Sequence, residues 1–115
     1  VLHGHSVAST VLSMASADTE LYLTDYEVLK VFEGQTTHET RLAVPVFPND
    51  QDIARLSRSV ALFLDDMKAG YIIRGHGVYV WGPDMDTALA RLEGLEFLLA
   101  CELEQVKLRA AIQEA

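Results

Sequence analysis

Three histidines are the residues of this chain whose type and spacing best predict chemistry. His3 and His5 lie in the run VLHGHS at residues 1–6, and His76 lies in the run RGHGVYVWG at residues 74–82. Because residues i and i+2 of a strand point to the same face, the first two imidazoles can reach one point. A third imidazole at that point would complete a three-nitrogen site with one position free, which is the arrangement of a catalytic zinc ion.

A His-x-His pair alone is a weak signal, since lone buried histidines are more often hydrogen-bonded core residues than ligands. Two features favour the metal interpretation. His3 and His5 end a predicted strand that leads into a helix, a position where functional groups collect in α/β proteins. His76 lies between two glycines on a turn between apolar strands, where packing does not require a histidine and the glycines leave room for a ligand to approach.

Composition limits the classes of partner. The 115 residues make at most one domain, and the apolar half of them is enough for an ordinary core. The net charge of −8, with Lys and Arg few and scattered, argues against a nucleic-acid surface but leaves a small phosphorylated substrate open. No stretch is long and apolar enough to span a bilayer, and no signal-peptide pattern is visible. The single cysteine, Cys101, cannot form an internal disulfide, which fits a cytoplasmic location.

Hydrophobic periodicity predicts an α/β fold with a mixed or antiparallel sheet. Pro45 favours an edge or strand end for its segment, and Gly75 with Gly77 favours a tight hairpin. In the first half of the chain we predict the end of a buried strand at 1–5, a helix at 7–17 capped by Ser6, and an extended segment at 21–23. A short helix follows at 26–32, capped by Asp25 and stopped at Gly34, and then a strand at 42–47. The second half begins with a helix opened by Asn49 or Asp50, with apolar positions through Met67, and continues with strands at 71–73 and 78–81 and a long helix at 84–115.

The histidine runs resemble those of the class II aldolase/adducin-like family. Residues 1–6 resemble its zinc-binding His-Thr-His-Ser run, with Gly4 in place of threonine, and residues 74–82 resemble its Arg-x-His-Gly-Val-Tyr-Val-Trp-Gly segment. The resemblance extends to about residue 106. It implies an α/β/α sandwich with a mixed, mainly antiparallel central sheet. It also implies that residues 1–115 are the C-terminal part of a single family domain, truncated at its N-terminus.

Three further segments resemble one branch of the family in particular, whose members remove water from a methylthio-substituted ketose phosphate in bacterial methionine salvage. These segments are residues 25–30, 36–39 and 49–56. The branch implies a lyase acting on a small ketose phosphate. Family members resemble ring-shaped tetramers, so the resemblance also implies a homo-oligomer.

Carried over position by position, the resemblance implies that His3, His5 and His76 hold one zinc ion per subunit. It also implies that Glu27 is the catalytic acid/base, on a short helix from which it could face the metal. Such a zinc ion would polarise the ketose carbonyl while one carboxyl group moves protons. The alternative for Glu27 is a surface glutamate paired with Lys30, one turn later; Lys30 itself is either a ligand of the substrate phosphate or a solvated side chain.

Other residues and functions remain open at this level. Arg74 is either a neighbour of the metal site or an inter-strand residue, and His38 is at best a pocket or interface residue. Tyr79 and Trp81 alternate with valines and are interpreted as packing. Two alternative functions remain: aldol cleavage or 4-epimerisation of another sugar phosphate, and a non-catalytic adducin-like interaction module. The second is disfavoured because such modules lack the metal ligands.

A glycine-rich phosphate-binding loop, which this family places before the His-x-His strand, is absent from the 115 residues. We therefore expect the isolated chain to bind zinc but to show no useful turnover of the ketose phosphate. An assay of the purified 115-residue chain with that substrate checks this expectation. Turnover close to that of a full-length family member would contradict it.

Overall fold

A computed structural model describes residues 1–32 and 34–114. The regular elements alternate along the chain and form one sheet with helices on both faces. In chain order they are β1 (Leu2–Gly4), α1 (Val7–Ala15), β2 (Glu20–Thr24), a 3-10 segment that we call the Glu27 turn (Glu27–Val31), β3 (Arg41–Phe47), α2 (Ile53–Ala61), a second 3-10 segment (Leu64–Asp66), β4 (Tyr71–Ile73), β5 (Gly77–Val80) and α3 (Met85–Glu114).

The five strands form one sheet in the order β1-β5-β4-β3-β2. Only β3 and β4 run parallel, and the other three neighbouring pairs are antiparallel. This confirms the predicted mixed, mainly antiparallel sheet. At the two edges of the sheet lie β1, which carries His3, and β2, which leads into the Glu27 turn.

Strict alternation along the strands divides the apolar side chains between two layers. One face of the sheet packs against α1 and α3 and forms the main core; its fully buried members include Val44, Ile72, Val78, Val80, Leu95, Leu98 and Leu99. The other face presents Phe47, Tyr71 and Trp81, which pack with Leu56 and Val60 of α2. The chain therefore has the predicted α/β/α layering.

Local signals account for several of the boundaries. The Ser6 hydroxyl accepts a hydrogen bond from the backbone N–H of Ser9 (3.1 Å), which caps α1 as predicted. The hairpin of β4 and β5 is also confirmed, and α3 covers nearly the whole predicted span. Residue 115, which the prediction included, lies outside the described residues. Among the described residues, no helix is long and apolar enough to cross a membrane.

Three predictions about helix starts and strand position are wrong. Strand β1 is an edge strand with exposed histidines rather than a buried strand. Asp25 does not cap an α-helix: its φ is 66°, and the Glu27 turn is 3-10 with Tyr26 before it and no side-chain cap. Helix α2 begins at Ile53, and its N-cap is Asp52 rather than Asn49 or Asp50: the Asp52 side chain accepts from the N–H of Arg55 at 3.1 Å. The Asp50 carboxylate is instead paired with the Arg55 guanidinium.

The prediction that Pro45 marks an edge strand or a strand end is also wrong: β3 is flanked by β2 and β4, and Pro45 lies inside Arg41–Phe47. Its partner on β2 is Glu20, whereas β4 pairs only with Val46 and Phe47. The N–H of Val46 donates to Thr19 on the β2 side at 2.7 Å, so the position where Pro45 lacks a donor faces the β4 side. The strand is unpaired there, and an internal proline removes no ladder hydrogen bond.

Candidate metal centre

The fold brings His3, His5 and His76 together. One nitrogen from each ring lies within 4.8 Å of the corresponding nitrogens of the other two. The Nε2 atoms of His3 and His5 are 2.7 Å apart, and the His76 ring centroid is 5.2 Å from each of theirs. His3 and His5 are exposed and His76 is half-buried, so the cluster opens towards solvent.

The donor set fits a zinc ion. Zn–N bonds of about 2.0–2.1 Å in a tetrahedron place ligand nitrogens about 3.3 Å apart. The separations here run from 2.7 Å to no more than 4.8 Å, and they bracket that value. Three imidazoles leave one position of the tetrahedron for water or substrate, which distinguishes a catalytic site from a closed structural one.

The His3 ring is oriented by β5 on two sides. Its Nδ1 lies 2.9 Å from the carbonyl oxygen of Val78, so an Nδ1–H donates there and the lone pair of Nε2 points into the cluster. Tyr79 stacks on the ring with centroids 4.1 Å apart. Tyr79 was interpreted from the sequence as packing alone. It lies directly opposite His3 in the β1–β5 register, which only knowledge of that pairing could have shown.

Gly77 lets β1 approach the turn that carries His76. A Cβ atom at Gly77 would lie 2.3 Å from the carbonyl oxygen of Gly4, 2.9 Å from Cε1 of His3 and 3.0 Å from Cδ2 of His5. The sequence predicted that the glycines leave room for a ligand. At Gly77 that room is occupied by β1 itself, so this glycine acts by allowing the histidine strand to come close.

Gly4 faces away from the cluster, towards α3. A side chain there would meet Leu92, Glu96 and Val78 at 3.5–3.8 Å, which is ordinary contact. This agrees with the expectation that the middle residue of His-x-His points away from a metal. Both carboxylate oxygens of Glu96 are buried beside Gly4, with no hydrogen-bond partner among the described residues.

Glu27 and Lys30 do not lie beside the histidines within this chain. The Lys30 ammonium is 2.6 Å from the Glu27 carboxylate, and the Glu27 side chain is 71% exposed. The hydrogen bond and charge of Lys30 lower the pKa of Glu27, with a smaller contribution from His38 in the same direction. The alternative pairing considered from the sequence is therefore present, while a role for either residue in catalysis or substrate binding stays a prediction.

Helix α3 separates the Glu27 turn from β1. Positions 92 and 96 of α3, which contact Gly4, share one flank of the helix, whereas Gly94 lies on the opposite flank and contacts Val28 and Val31. Tyr26 fastens the turn to that second flank: its hydroxyl donates to Glu102 at 2.8 Å, and burial together with Glu102 raises its pKa to about 12. Within this chain α3 therefore lies between Glu27 and the histidine cluster, and whether Glu27 faces a metal ion stays a prediction.

A cavity of about 760 Å³ adjoins the metal cluster on the face of the sheet that carries the side chains of His3 and Tyr79. Tyr79, which stacks on His3, lines it together with residues of β4, α2 and Trp81. No lysine, arginine or histidine is among its described lining residues, so it is an apolar space rather than a phosphate pocket. His38 is exposed and outside the histidine cluster, and Trp81 packs with α2, as predicted for it.

Comparison with known proteins identifies the family of this chain. Residues 1–103 match the family described as Class II Aldolase and Adducin N-terminal domain. The chain is 72% identical over 107 residues to the methylthioribulose-1-phosphate dehydratase of Gluconacetobacter diazotrophicus, covering 93% of this chain and 52% of that protein. The corresponding protein of Gluconobacter oxydans is 68% identical over 110 residues, with 96% and 53% covered. The chain thus spans about half the length of these curated relatives and matches their C-terminal part.

Replacing His76 tests the cluster as a metal centre. We expect the unaltered chain to bind about one equivalent of zinc. His76→Ala should lose more zinc affinity than the ~10–100-fold that is lost when an outer partner of a metal ligand is removed. Titration against a chromophoric chelator measures both affinities. His38→Ala is the matched control, because His38 is exposed and outside the cluster. Equal zinc affinity for His76→Ala and the unaltered chain would remove His76 from the ligand set.

Replacing Gly77 tests whether the approach of β1 shapes the site. Gly77→Ala should weaken zinc binding, because the added methyl group must displace the Gly4 carbonyl and the rings of His3 and His5. Gly34→Ala is the control: Gly34 has a φ of +79° and open space around it, so it should lose about 1 kcal/mol of stability with no change in zinc affinity. Zinc titration and thermal unfolding of both variants separate the two effects. Unchanged zinc affinity in Gly77→Ala would contradict the argument.

Proposed function

This chain belongs to the class II aldolase and adducin family, and we propose that it forms the metal-binding half of a zinc-dependent methylthioribulose-1-phosphate dehydratase. The reaction takes 5-methylthioribulose 1-phosphate to 2,3-diketo-5-methylthiopentyl 1-phosphate and water, as a step of methionine salvage. The observation that carries this proposal is the convergence of His3, His5 and His76 into an open three-nitrogen site. The relatives of that name, at 72% and 68% identity, support the choice of reaction.

The three imidazoles would hold the zinc ion through neutral nitrogens, so that its positive charge is not cancelled by its ligands. When bound, the ion supplies a Lewis acid for the carbonyl oxygen of the ketose. The hydrogen bond from His3 to the Val78 carbonyl and the stacking of Tyr79 keep the His3 lone pair directed to one point. The open side of the cluster leaves the fourth position to the substrate.

Glu27 is the proposed proton carrier. It would take the proton from C3 of the ketose and return a proton to the hydroxyl that leaves C4, so that one water departs and the resulting enol becomes the second carbonyl. The lowered pKa of Glu27 keeps its carboxylate ionised at neutral pH, which suits the first of these steps. After that step the same carboxyl group is protonated and suited to the second.

Since α3 separates the Glu27 turn from the histidines of the same chain, we propose that Glu27 acts at the metal centre of a neighbouring copy. This agrees with the homotetramer implied by the family resemblance. It also gives Lys30 a role: being 2.6 Å from Glu27, it would enter the same neighbouring site and place a positive charge near the substrate phosphate. We also propose a cytoplasmic location, because Cys101 has no second cysteine with which to form an internal disulfide.

The test of the reaction uses a chimera in which the upstream half of the Gluconacetobacter diazotrophicus relative is joined to this chain. We expect the chimera to convert methylthioribulose 1-phosphate to the diketone and to leave fuculose 1-phosphate uncleaved. Aldol cleavage without dehydration would contradict the proposed dehydratase reaction and favour an aldolase. A chimera that holds no zinc and turns over neither substrate would favour the non-catalytic interaction module.

Mixed oligomers test the position of Glu27. In the chimera, Glu27→Gln and His76→Ala should each abolish turnover, because each removes one part of every site. Co-assembled from equal amounts, they should regain activity in about a quarter of the sites, namely those that combine the intact histidines of a Glu27→Gln copy with the intact Glu27 of a neighbouring His76→Ala copy. Glu39→Gln, which changes an exposed glutamate of the following loop, serves as the matched control and should stay active alone. Failure of the mixture to regain activity, with both parents folded, would place Glu27 and the metal in the same chain or remove Glu27 from the reaction.

A further inference from the structure

Several hydrogen bonds between distant parts of the chain meet at Arg74, the residue two before His76. Its Nη1 donates to the carbonyl oxygens of Ser13 and Ser16, and its Nη2 donates to that of Asp18 at 2.9 Å. We call this set of contacts the Arg74 clamp. Among the described residues Arg74 makes no ion pair with a carboxylate, and its Nη1 and Nη2 groups donate to backbone carbonyls instead.

The clamp closes the C-terminal end of α1. This helix ends at Ala15, and the carbonyl groups of a last helical turn have no partners within the helix. A cation at that end also complements the negative pole of the helix dipole. The helix has no basic residue of its own in its last turn, and Arg74 supplies that charge from the β4–β5 turn.

The same turn is fixed to its surroundings at further points. The backbone N–H of Arg74 donates to the Phe47 carbonyl at 2.8 Å, and that of Gly75 donates to the hydroxyl of Ser13 at 3.0 Å. Ser13 is 1% exposed, and its own hydroxyl donates to the Thr10 carbonyl at 3.1 Å. The backbone on the N-terminal side of His76 is therefore held both by the sheet and by α1.

The His76 ring depends on this backbone more than the His3 ring depends on its own. His3 is oriented by its hydrogen bond to Val78 and by Tyr79, whereas no hydrogen bond to the His76 ring is present among the described residues. Helix α1 begins directly after His5 and ends at the clamp. One short helix thus connects the strand that carries two of the histidines with the turn that carries the third.

We propose that Arg74 is a positioning residue for the metal centre: by fastening the His76 turn to α1, it sets the distance between His76 and the His3–His5 pair. This inference rests on the proposed metal centre and adds a determinant of its affinity. Loss of the clamp would leave all three imidazoles in the chain but would let His76 occupy a wider range of positions, so the ion would be bound more weakly and in altered geometry.

The test compares Arg74→Gln with Arg91→Gln in the 115-residue chain. Arg91 also donates to a backbone carbonyl, that of Trp81 at 3.1 Å, but just beyond the far end of β5, so it controls for loss of an arginine–carbonyl contact. We expect Arg74→Gln to weaken zinc binding about 10–100-fold, the range typical of outer partners of metal ligands, and Arg91→Gln to leave it unchanged. The visible spectrum of bound Co²⁺ should change in Arg74→Gln alone, which a purely structural loss of stability would not cause.

Two further variants keep the test decisive if Arg74→Gln fails to fold. Arg74→Lys retains the charge but not the fork of donors and should bind zinc with intermediate affinity. Ser13→Ala removes the hydroxyl's bonds to Gly75 and Thr10 but leaves the Arg74 contacts to backbone carbonyls, and it should weaken zinc binding by a smaller factor. Folded Arg74 variants that match the unaltered chain in zinc affinity and Co²⁺ spectrum would overturn this inference and leave the metal centre standing. An unaltered chain that binds neither ion would overturn the metal centre and this inference with it.

Discussion

The close pairing of β1 with β5 is the constraint on which the candidate metal centre depends. His3 and His5 lie on or beside an edge strand of three residues, and the contact that brings them to His76 passes over Gly77, where even one methyl group would meet the Gly4 carbonyl and both rings. The pairing register then places Val78 and Tyr79 where they hold the His3 ring. The positions of the three rings thus depend on the close approach of β1 to Gly77, which only glycine permits.

Helix α3 has a second organising effect, because its two flanks serve different parts of the molecule. One flank lies behind β1 at Gly4, and the other carries the Glu27 turn, which is fastened by the Tyr26–Glu102 hydrogen bond and by the contacts at Gly94. Helix α3 thus lies between the histidine cluster and Glu27. For this reason the proposed function combines the histidines of one copy with the Glu27 of another.

The sequence was most informative where a local rule applied. The Ser6 cap, the β4–β5 hairpin, the apolar stripe of α3 and the three histidines all follow from side-chain chemistry over a few residues. It was least informative where a non-local partner decided. The sequence does not show that the Asp50 carboxylate pairs with Arg55 instead of capping α2. Nor does it show that β4 pairs with β3 only at Val46 and Phe47, so that an inner strand can accept Pro45.

The sequence by itself determined the donor chemistry of the cluster: three imidazoles, in an acidic chain with a single cysteine. These are properties of residue types and need no coordinates, whereas Glu27 was selected among the acidic residues by the family resemblance. Only the tertiary structure decided which groups meet. It brought His76 to the β1 pair through an antiparallel edge and kept Glu27 apart behind α3. It also shows that Arg74, whose role the sequence left open, links α1 to the His76 turn through hydrogen bonds to backbone carbonyls. The physical reason is that such contacts join residues far apart in the chain, and their positions follow from sheet order and helix packing rather than from local spacing.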